Sequence, residues 1–282
     1  MRVIYTFLLL GLIFISHKNL LQAAQIDIYS MEDLVTISLV GEIKNGDAEK
    51  FKKIVDDLRQ KNIAVNMLTL ASSGGDANEA MRIGKIVRKS LIPTHAPFAL
   101  DHGWTCNGYA PGLENNECDC ASACFLIWVA GVYRMGNVVG IHRPYFLKEY
   151  LEGLSASEAQ KERSLMYEKV KSYLKDMDVP EHVINKMFDT KSDEIVYLDW
   201  YTTKSMESVP FYNKSEGTSC LPLTDREEMD YWRLLAKKME GKNILKKSEK
   251  FHFNYLKNKK EEFNECFREK LKEAQLKEKT TS

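Results

Sequence analysis

Residues 63–90, IAVNMLTLASSGGDANEAMRIGKIVRKS, decide the architecture of this chain. The first nine are mainly apolar and read as a buried strand. Ser72, Ser73, Gly74 and Gly75 break that run, and a helix is expected to follow as far as Ser90. Two glycines between a buried strand and a helix allow a tight turn and the close approach of another backbone. Exposed N–H groups at such a turn can hold an anion, or the oxyanion that forms when a carbonyl is attacked. Gly-Gly before a helix is also a common plain turn, so by itself the stretch speaks to fold before function.

The same alternation continues on both sides. Upstream, IDIYSMEDLVTISLVGEI (26–43) holds one or two strands that end near Gly41. Ala48, Phe51, Ile54, Val55 and Leu58 then recur at helical spacing. Downstream, THAPFAL (94–100) reads as another strand. Residues 101–119, rich in Gly, Asn and Cys, read as an inserted loop without a period. SACFLIWVAG (122–131) is an apolar helix or strand, and NVVGIHRP (137–144) a strand closed by Pro144. Strands alternating with helices, and appearing as continuous apolar runs, give an α/β fold with a largely parallel sheet. Residues 147–187 are helical in pattern, and DEIVYLDWY (193–201) is a short strand and turn. Beyond residue 208 the segments become charged amphipathic helices, read as a C-terminal extension. Tyr231, Trp232 and Leu235 are expected to dock it on the core or to form an oligomer contact.

Lys plus Arg and Asp plus Glu both number 40, so no global field favours nucleic acid or an anionic membrane surface. The N-terminus stands apart. Arg2 is followed by a mainly apolar stretch, 3–15, of 13 residues, short of the ~20 that span a bilayer. Ser16, His17, Lys18 and Asn19 come next, then LLQAAQ. This is the pattern of a secretory signal peptide. Cleavage is expected after Ala24, with Gln22 an unusual −3 residue; the other reading is an uncleaved N-terminal anchor, the one route to a membrane association. Removal would delete Arg2 and Lys18 and no acid. An exported chain, periplasmic or secreted, gives its six cysteines a disulfide reading. The expected pairs are Cys106–Cys118, closing the insertion, and Cys220–Cys266, tying down the C-terminal region. Cys120 and Cys124 either pair or stay as thiols. A zinc site lacks a second ligand pair of the usual spacing, so no metal is expected.

Two further stretches bear on chemistry. In CDCASACFLIWVAGVYR (118–134), Ser122 stands directly ahead of the apolar segment, where a helix dipole would favour developing negative charge. Its ordinary alternative is a helix N-cap. In VVGIHRP, His142 follows a buried strand, where a sheet presents functional groups; the alternative is a hydrogen-bonded structural histidine. His95, His102, His182 and His252 have less informative surroundings.

SSGGDANEAMRIGKIV, CASACFLIWVAG and GIHRP occur in the order and approximate spacing of the Clp protease proteolytic subunit and its crotonase-like superfamily, and the chain resembles that family over roughly residues 26–206. The resemblance implies a ClpP/crotonase-like spiral core of ββα units. Here it would span 25–208, after a signal peptide at 1–24, with a helical extension at 209–282. It implies Ser122 as nucleophile and His142 as general base. Gly75 and the N–H of Ala123 would form the oxyanion hole, with Gly74 shaping the loop. Triad logic then asks for an acid to orient the histidine. Asp193, just ahead of IVYL, is the expected one, with Asp189 second and Asp199 third. A Ser–Lys pair, as in the family's signal-peptide peptidase branch, would need Lys85 or Lys89, and neither is marked as a base.

The expectation is therefore an exported serine peptidase or acyl hydrolase acting on a peptide or protein, without cofactor. The family commonly forms trimers or rings, so homo-oligomers are implied. The family's ATP-driven unfoldase is not expected outside the cytoplasm. Two rivals stand beside this reading. Crotonase-type thioester chemistry would need no Ser–His pair. A non-catalytic binding protein of the cell envelope would keep the fold and use the cysteine loop and C-terminal helices. Asn213-Lys214-Ser215 fits a glycosylation sequon, relevant only to eukaryotic export.

Overall fold

The computed structural model describes residues 24–31, 34–100, 103–105, 118–146, 148–207, 220, 222–239 and 245–277. The strands are β1 (Gln25–Met31), β2 (Leu34–Val40), β3 (Val65–Ala71), β4 (Thr94–His95), β5 (Phe98–Leu100), β6 (Gly103–Thr105), β7 (Cys120–Ala121), β8 (Arg134–Met135), β9 (Val139–Ile141) and β10 (Val196–Tyr197). The helices are α1 (Asp47–Gln60), α2 (Ala77–Lys89), α3 (Ala123–Trp128), α4 (Lys148–Leu151), α5 (Ala156–Asp176), α6 (Glu181–Asp189), α7 (Trp200–Ser205), α8 (Asp225–Met239) and α9 (Lys247–Lys277).

Together they make a mixed α/β core with a helical C-terminal extension. One sheet runs in the order β1-β2-β3-β4-β8, parallel except for the β1–β2 hairpin. A second, smaller sheet runs β10-β9-β7, with β7 and β9 parallel and β10 antiparallel to β9. The THAPFAL segment divides at Ala96-Pro97 into β4 and β5, and β5 pairs with β6, so the insertion opens as a hairpin. The rest of that insertion, 106–117, lies outside the described residues, as do 1–23.

The core follows from patterning. Ala48, Phe51, Val55 and Leu58 bury one face of α1, and Ala80, Met81, Ile83, Gly84 and Val87 do so for α2. Helix α3 has no exposed face: all six residues are buried, with Phe125 and Trp128 at 0% exposure. A helix apolar all round must lie inside, which resolves the helix-or-strand ambiguity of SACFLIWVAG. The Trp128 indole N–H satisfies itself on the Met135 carbonyl at 2.9 Å.

The extension is a hairpin of α8 and α9 with its own small core of Leu223, Leu234, Phe253 and Leu256, joined by Tyr231 and Leu235. Tyr231 and Leu235 thus hold the hairpin together, while the side chain of Trp232 lies outside the described ones. Docking on the α/β core falls to the end of α9. Leu271 packs on Val132, the Phe267 ring lies 5.0 Å from that of Tyr133, and the Gln275 amide bonds both the N–H and the C=O of Val65. Lys204 adds an ionic link, pairing with Glu207 at 2.7 Å and with Glu228 of α8.

Candidate active site

Three chain segments meet at Ser122. The first is the loop between β3 and α2. Gly74 and Gly75 hold φ of 118° and 132°, a region closed to most side chains. A Cβ on Gly74 would sit 2.7 Å from the Ser122 Cβ, and one on Gly75 would collide with the Ile43 carbonyl. Both glycines are therefore demanded by close approach. The loop is clamped from two sides. Ser72 Oγ accepts from the Gly74 N–H at 3.1 Å and donates to the Gly74 carbonyl. Ile43 donates to the Gly74 carbonyl and accepts from the Asp76 N–H, both at 2.8 Å. Asp76 then caps α2, its carboxylate accepting from the N–H groups of Asn78 and Glu79, which starts the helix directly after the glycines.

The second segment is β7 and α3. Ser122 sits at their junction with φ 58° and ψ −119°, a strained conformation for a residue with a Cβ. Its N–H donates to Gly140 O at 2.9 Å, which fixes the turn. It occupies the N-cap position of α3 but makes no side-chain cap bond, so the ordinary N-cap use of the hydroxyl is absent. The residue is half-buried. Among the hydrogen bonds of the described residues, none uses the N–H of Gly75 or of Ala123. Gly74, by contrast, has its N–H spent on Ser72. The disulfide Cys120–Cys124 brackets this turn, two residues to either side of Ser122, with both cysteines fully buried.

The third segment is β9. The register pairs Ala121 with Gly140 across parallel β7 and β9, so Ser122 and His142 leave neighbouring strands at the same end. His142 is 6% exposed, and its Nδ1 lies 3.0 Å from the Arg143 carbonyl. A carbonyl only accepts, so this contact requires the proton on Nδ1, leaving Nε2 as the basic nitrogen of the neutral ring. The Tyr145 ring flanks it at 5.8 Å and is itself 55% exposed.

The three candidate acids are placed differently. Asp199 is spent as the N-cap of α7, accepting from the Thr202 N–H and hydroxyl at 2.8 Å each. Those bonds, the backbone one first, hold its carboxyl below the usual range. Asp189 closes α6, and the next residue, Thr190, accepts the Arg143 N–H at 3.1 Å. Asp193 is exposed. Val196 pairs with Ile141 in the antiparallel register, which sets Ile195 level with His142; Asp193 lies ahead of the strand, in a turn closed by the Glu194 N–H on the Lys191 carbonyl at 3.2 Å. Among the described residues, no hydrogen bond joins any of the three carboxylates to His142.

In β10, Tyr197 donates to Asp119 at 3.0 Å. Burial raises the Asp119 pKa and, still more strongly, that of Tyr197. No local sequence pattern announces this pair, because its members lie 78 residues apart. Ser72 was visible only as part of a polar turn. The Cys220–Cys266 pairing matches the expectation. Cys118 is also disulfide-bonded, and Cys106, its expected partner, lies outside the described residues. No described helix is long and apolar enough to cross a membrane, and no metal-binding cluster of His, Cys, Asp or Glu occurs among the described residues. A cavity of about 580 Å³ beside Cys220, Tyr255 and Cys266 shares no lining residue with the Ser122 site.

No family model and no curated protein matches the chain. Among solved structures it is similar to ClpP1 from Listeria monocytogenes, with 17% identity over 61% of this chain and 86% of that one, and a TM-score of 0.41. A point mutant of the same ClpP1 gives 19%, with the same coverages and TM-score. A mutant of the 1510-N membrane-bound stomatin-specific protease gives 18% over 64% and 83%, with a TM-score of 0.40.

Proposed function

We propose that the protein is an exported serine peptidase or related acyl hydrolase. The observation that carries this reading is the state of Ser122. A strained turn holds it half-buried against a glycine, with its hydroxyl uncapped. The Ala123 N–H follows it directly and the Gly75 N–H lies in the adjoining loop, and among the described residues no hydrogen bond uses either. In this reading Ser122 Oγ attacks the carbonyl carbon, and His142 Nε2 takes the hydroxyl proton and returns it to the leaving amine or alcohol. The amides of Gly75 and Ala123 stabilise the oxyanion, a contribution of about 3–4 kcal/mol per donor in serine hydrolases. Water then releases the acyl group by the same route.

Asp193 is the proposed third member. Its support is its place in the turn just ahead of β10, the strand whose Val196 pairs with Ile141, next to His142. The Arg143 carbonyl by itself already fixes the histidine tautomer this role needs. Asp189 is the competitor, one residue from the Thr190–Arg143 bond. The substrate is proposed to be a peptide or protein and the working form a homo-oligomer in the periplasm or outside the cell, with the disulfides as support.

The test is hydrolysis of fluorogenic peptides and of short acyl esters by the oxidised wild type beside Ser122→Ala and His142→Ala, each shown folded by circular dichroism. Turnover that both variants lose supports the reading. Turnover that persists in both places the chemistry elsewhere. A folded wild type inert on every substrate favours a binding protein of the cell envelope.

A further inference from the structure

The described chain opens at an unusual contact. Ala24 is 5% exposed, and its backbone N–H donates to Asp47 Oδ2 at 3.3 Å. Asp47 is the first residue of α1 and is fully buried. The same Oδ2 accepts from the Lys44 N–H at 2.8 Å, and Oδ1 pairs with Lys50 Nζ at 3.0 Å. A buried carboxylate costs several kcal/mol unless its lone pairs are filled. Ala24 is therefore one of three donors that pay for Asp47. Cutting after Ala24 would remove both this donor and a side chain packed into the core. Cutting one residue earlier would keep both and convert the amide donor into a charged one.

We propose that export processing severs the Ala23–Ala24 bond and that the new α-ammonium of Ala24 seats on the Asp47 carboxylate. A leader-cleaving endopeptidase adds water across the bond. Ala23 departs as a carboxylate, and the nitrogen of Ala24 takes up protons to become an ammonium. This cut keeps a small residue, Ala23, at −1, as such an enzyme requires. Cleavage takes place while this segment is undocked, because Ala24 is buried once it is seated. The inference rests on the export part of the proposed function and not on the chemistry of Ser122.

The seat also reaches the site. Asp47 closes the 44–47 turn, and the residue before that turn, Ile43, grips Gly74 and Asp76. An ammonium at Ala24 thus tightens the element on which the Gly-Gly loop is hung. The other charges around it are Lys50 on α1 and Lys44 with Glu42 ahead of it. From α2, Glu79 accepts the N–H groups of Gly46 and Ala48 and pairs with Arg82 at 2.9 Å.

The first experiment is intact mass and N-terminal sequencing of the full chain after expression in a secreting host. Ala24 as the first residue is expected. A chain beginning at Gln25 would overturn the seat while leaving export standing, and a chain that keeps residues 1–23 would overturn both. The second compares melting of the Ala24-start protein with one made to begin at Ala23, which carries its charge one residue away. An α-amino group ordinarily titrates near ~8, and a carboxylate partner raises it. A raised pKa stabilises fully below the unfolded value and loses that stabilisation as pH rises through the folded one. The Ala24-start protein should therefore melt about 3 °C or more higher at pH 7, and the gap should close by about pH 10–11. Equal melting at both pH values would overturn the proposal. Asp47→Asn should abolish the gap; because that variant also strips Lys50 of its partner, the Ala23-start protein is the deciding comparison.

Discussion

Two disulfides in this molecule close loops of very different size. Cys120 and Cys124 are four residues apart and wholly buried around Ser122, whereas Cys220 and Cys266 are separated by 46 residues and join the segment before α8 to the far part of α9. Loop-closure entropy makes the long bridge worth about 4 kcal/mol and the short one about 2. The long bridge acts on the unfolded chain, holding a helical hairpin whose own core is four buried side chains. The short bridge acts on native geometry. It pins the residues that flank a strained serine, and its contribution is of the order of the ~1–3 kcal/mol that such backbone strain costs. One cross-link secures an appendage; the other holds the strained turn at Ser122.

The largest effects should come from the inner region. Ser122→Ala should abolish acyl transfer with little change in melting, since no hydrogen bond of the described structure uses its hydroxyl. Gly75→Ala should be as damaging to activity and should lower stability too, because its Cβ meets backbone at Ile43. Asp193→Asn should cost about 10⁴ in kcat if Asp193 is the triad acid. Asp189→Asn, measured beside it, should then be nearly silent, and the opposite ranking would transfer the role.

The outer region is next. Cys220→Ser with Cys266→Ser should destabilise the hairpin by about 4 kcal/mol, read as faster limited proteolysis within α8 and α9 while activity survives. Loss of activity at the same rate would mean that hairpin and site are one cooperative unit. A third effect belongs to the core between them. Burial lowers the His95 pKa from 6.5 to about 4. A group with a depressed folded pKa contributes fully above its unfolded value and loses that contribution as pH falls toward the folded one. Stability should therefore fall by about 3 kcal/mol between pH 6.5 and 4, and His95→Gln should flatten this limb of the melting profile.

Removal of the inner bridge by Cys120→Ser with Cys124→Ser should cost less stability than removal of the outer one, about 2 kcal/mol. Its effect on reactivity should be out of proportion, because Ser122 is then free to leave φ 58°. Equal losses of stability and reactivity would collapse the distinction between the two bridges.

The sequence reveals the inner region well for physical reasons. Gly-Gly between a buried strand and a helix, an apolar run too uniform to be a surface element, and a histidine at a strand end all leave local signatures. Helix α1 and the end of β9 likewise follow from spacing. What the sequence does not carry is mutual placement. Six cysteines allow fifteen pairings, so the bridge around Ser122 stayed open although both cysteines lie in the quoted stretch. The partner of His142 Nδ1 is a backbone carbonyl, which no side-chain pattern can announce. Asp119 and Tyr197 meet only because β9 lies between their segments. The docking of α9 through Gln275 onto Val65 is equally silent, being a single amide matched to backbone groups 210 residues away.

The most direct test of the central claim is to treat the oxidised, folded wild type with a fluorophosphonate and map the adduct by peptide mass spectrometry. The account predicts one adduct per chain, on Ser122, absent in Ser122→Ala and strongly slowed in His142→Ala. An adduct on another residue, or none on a well-folded protein, would contradict an activated serine held between the Gly75 and Ala123 amides.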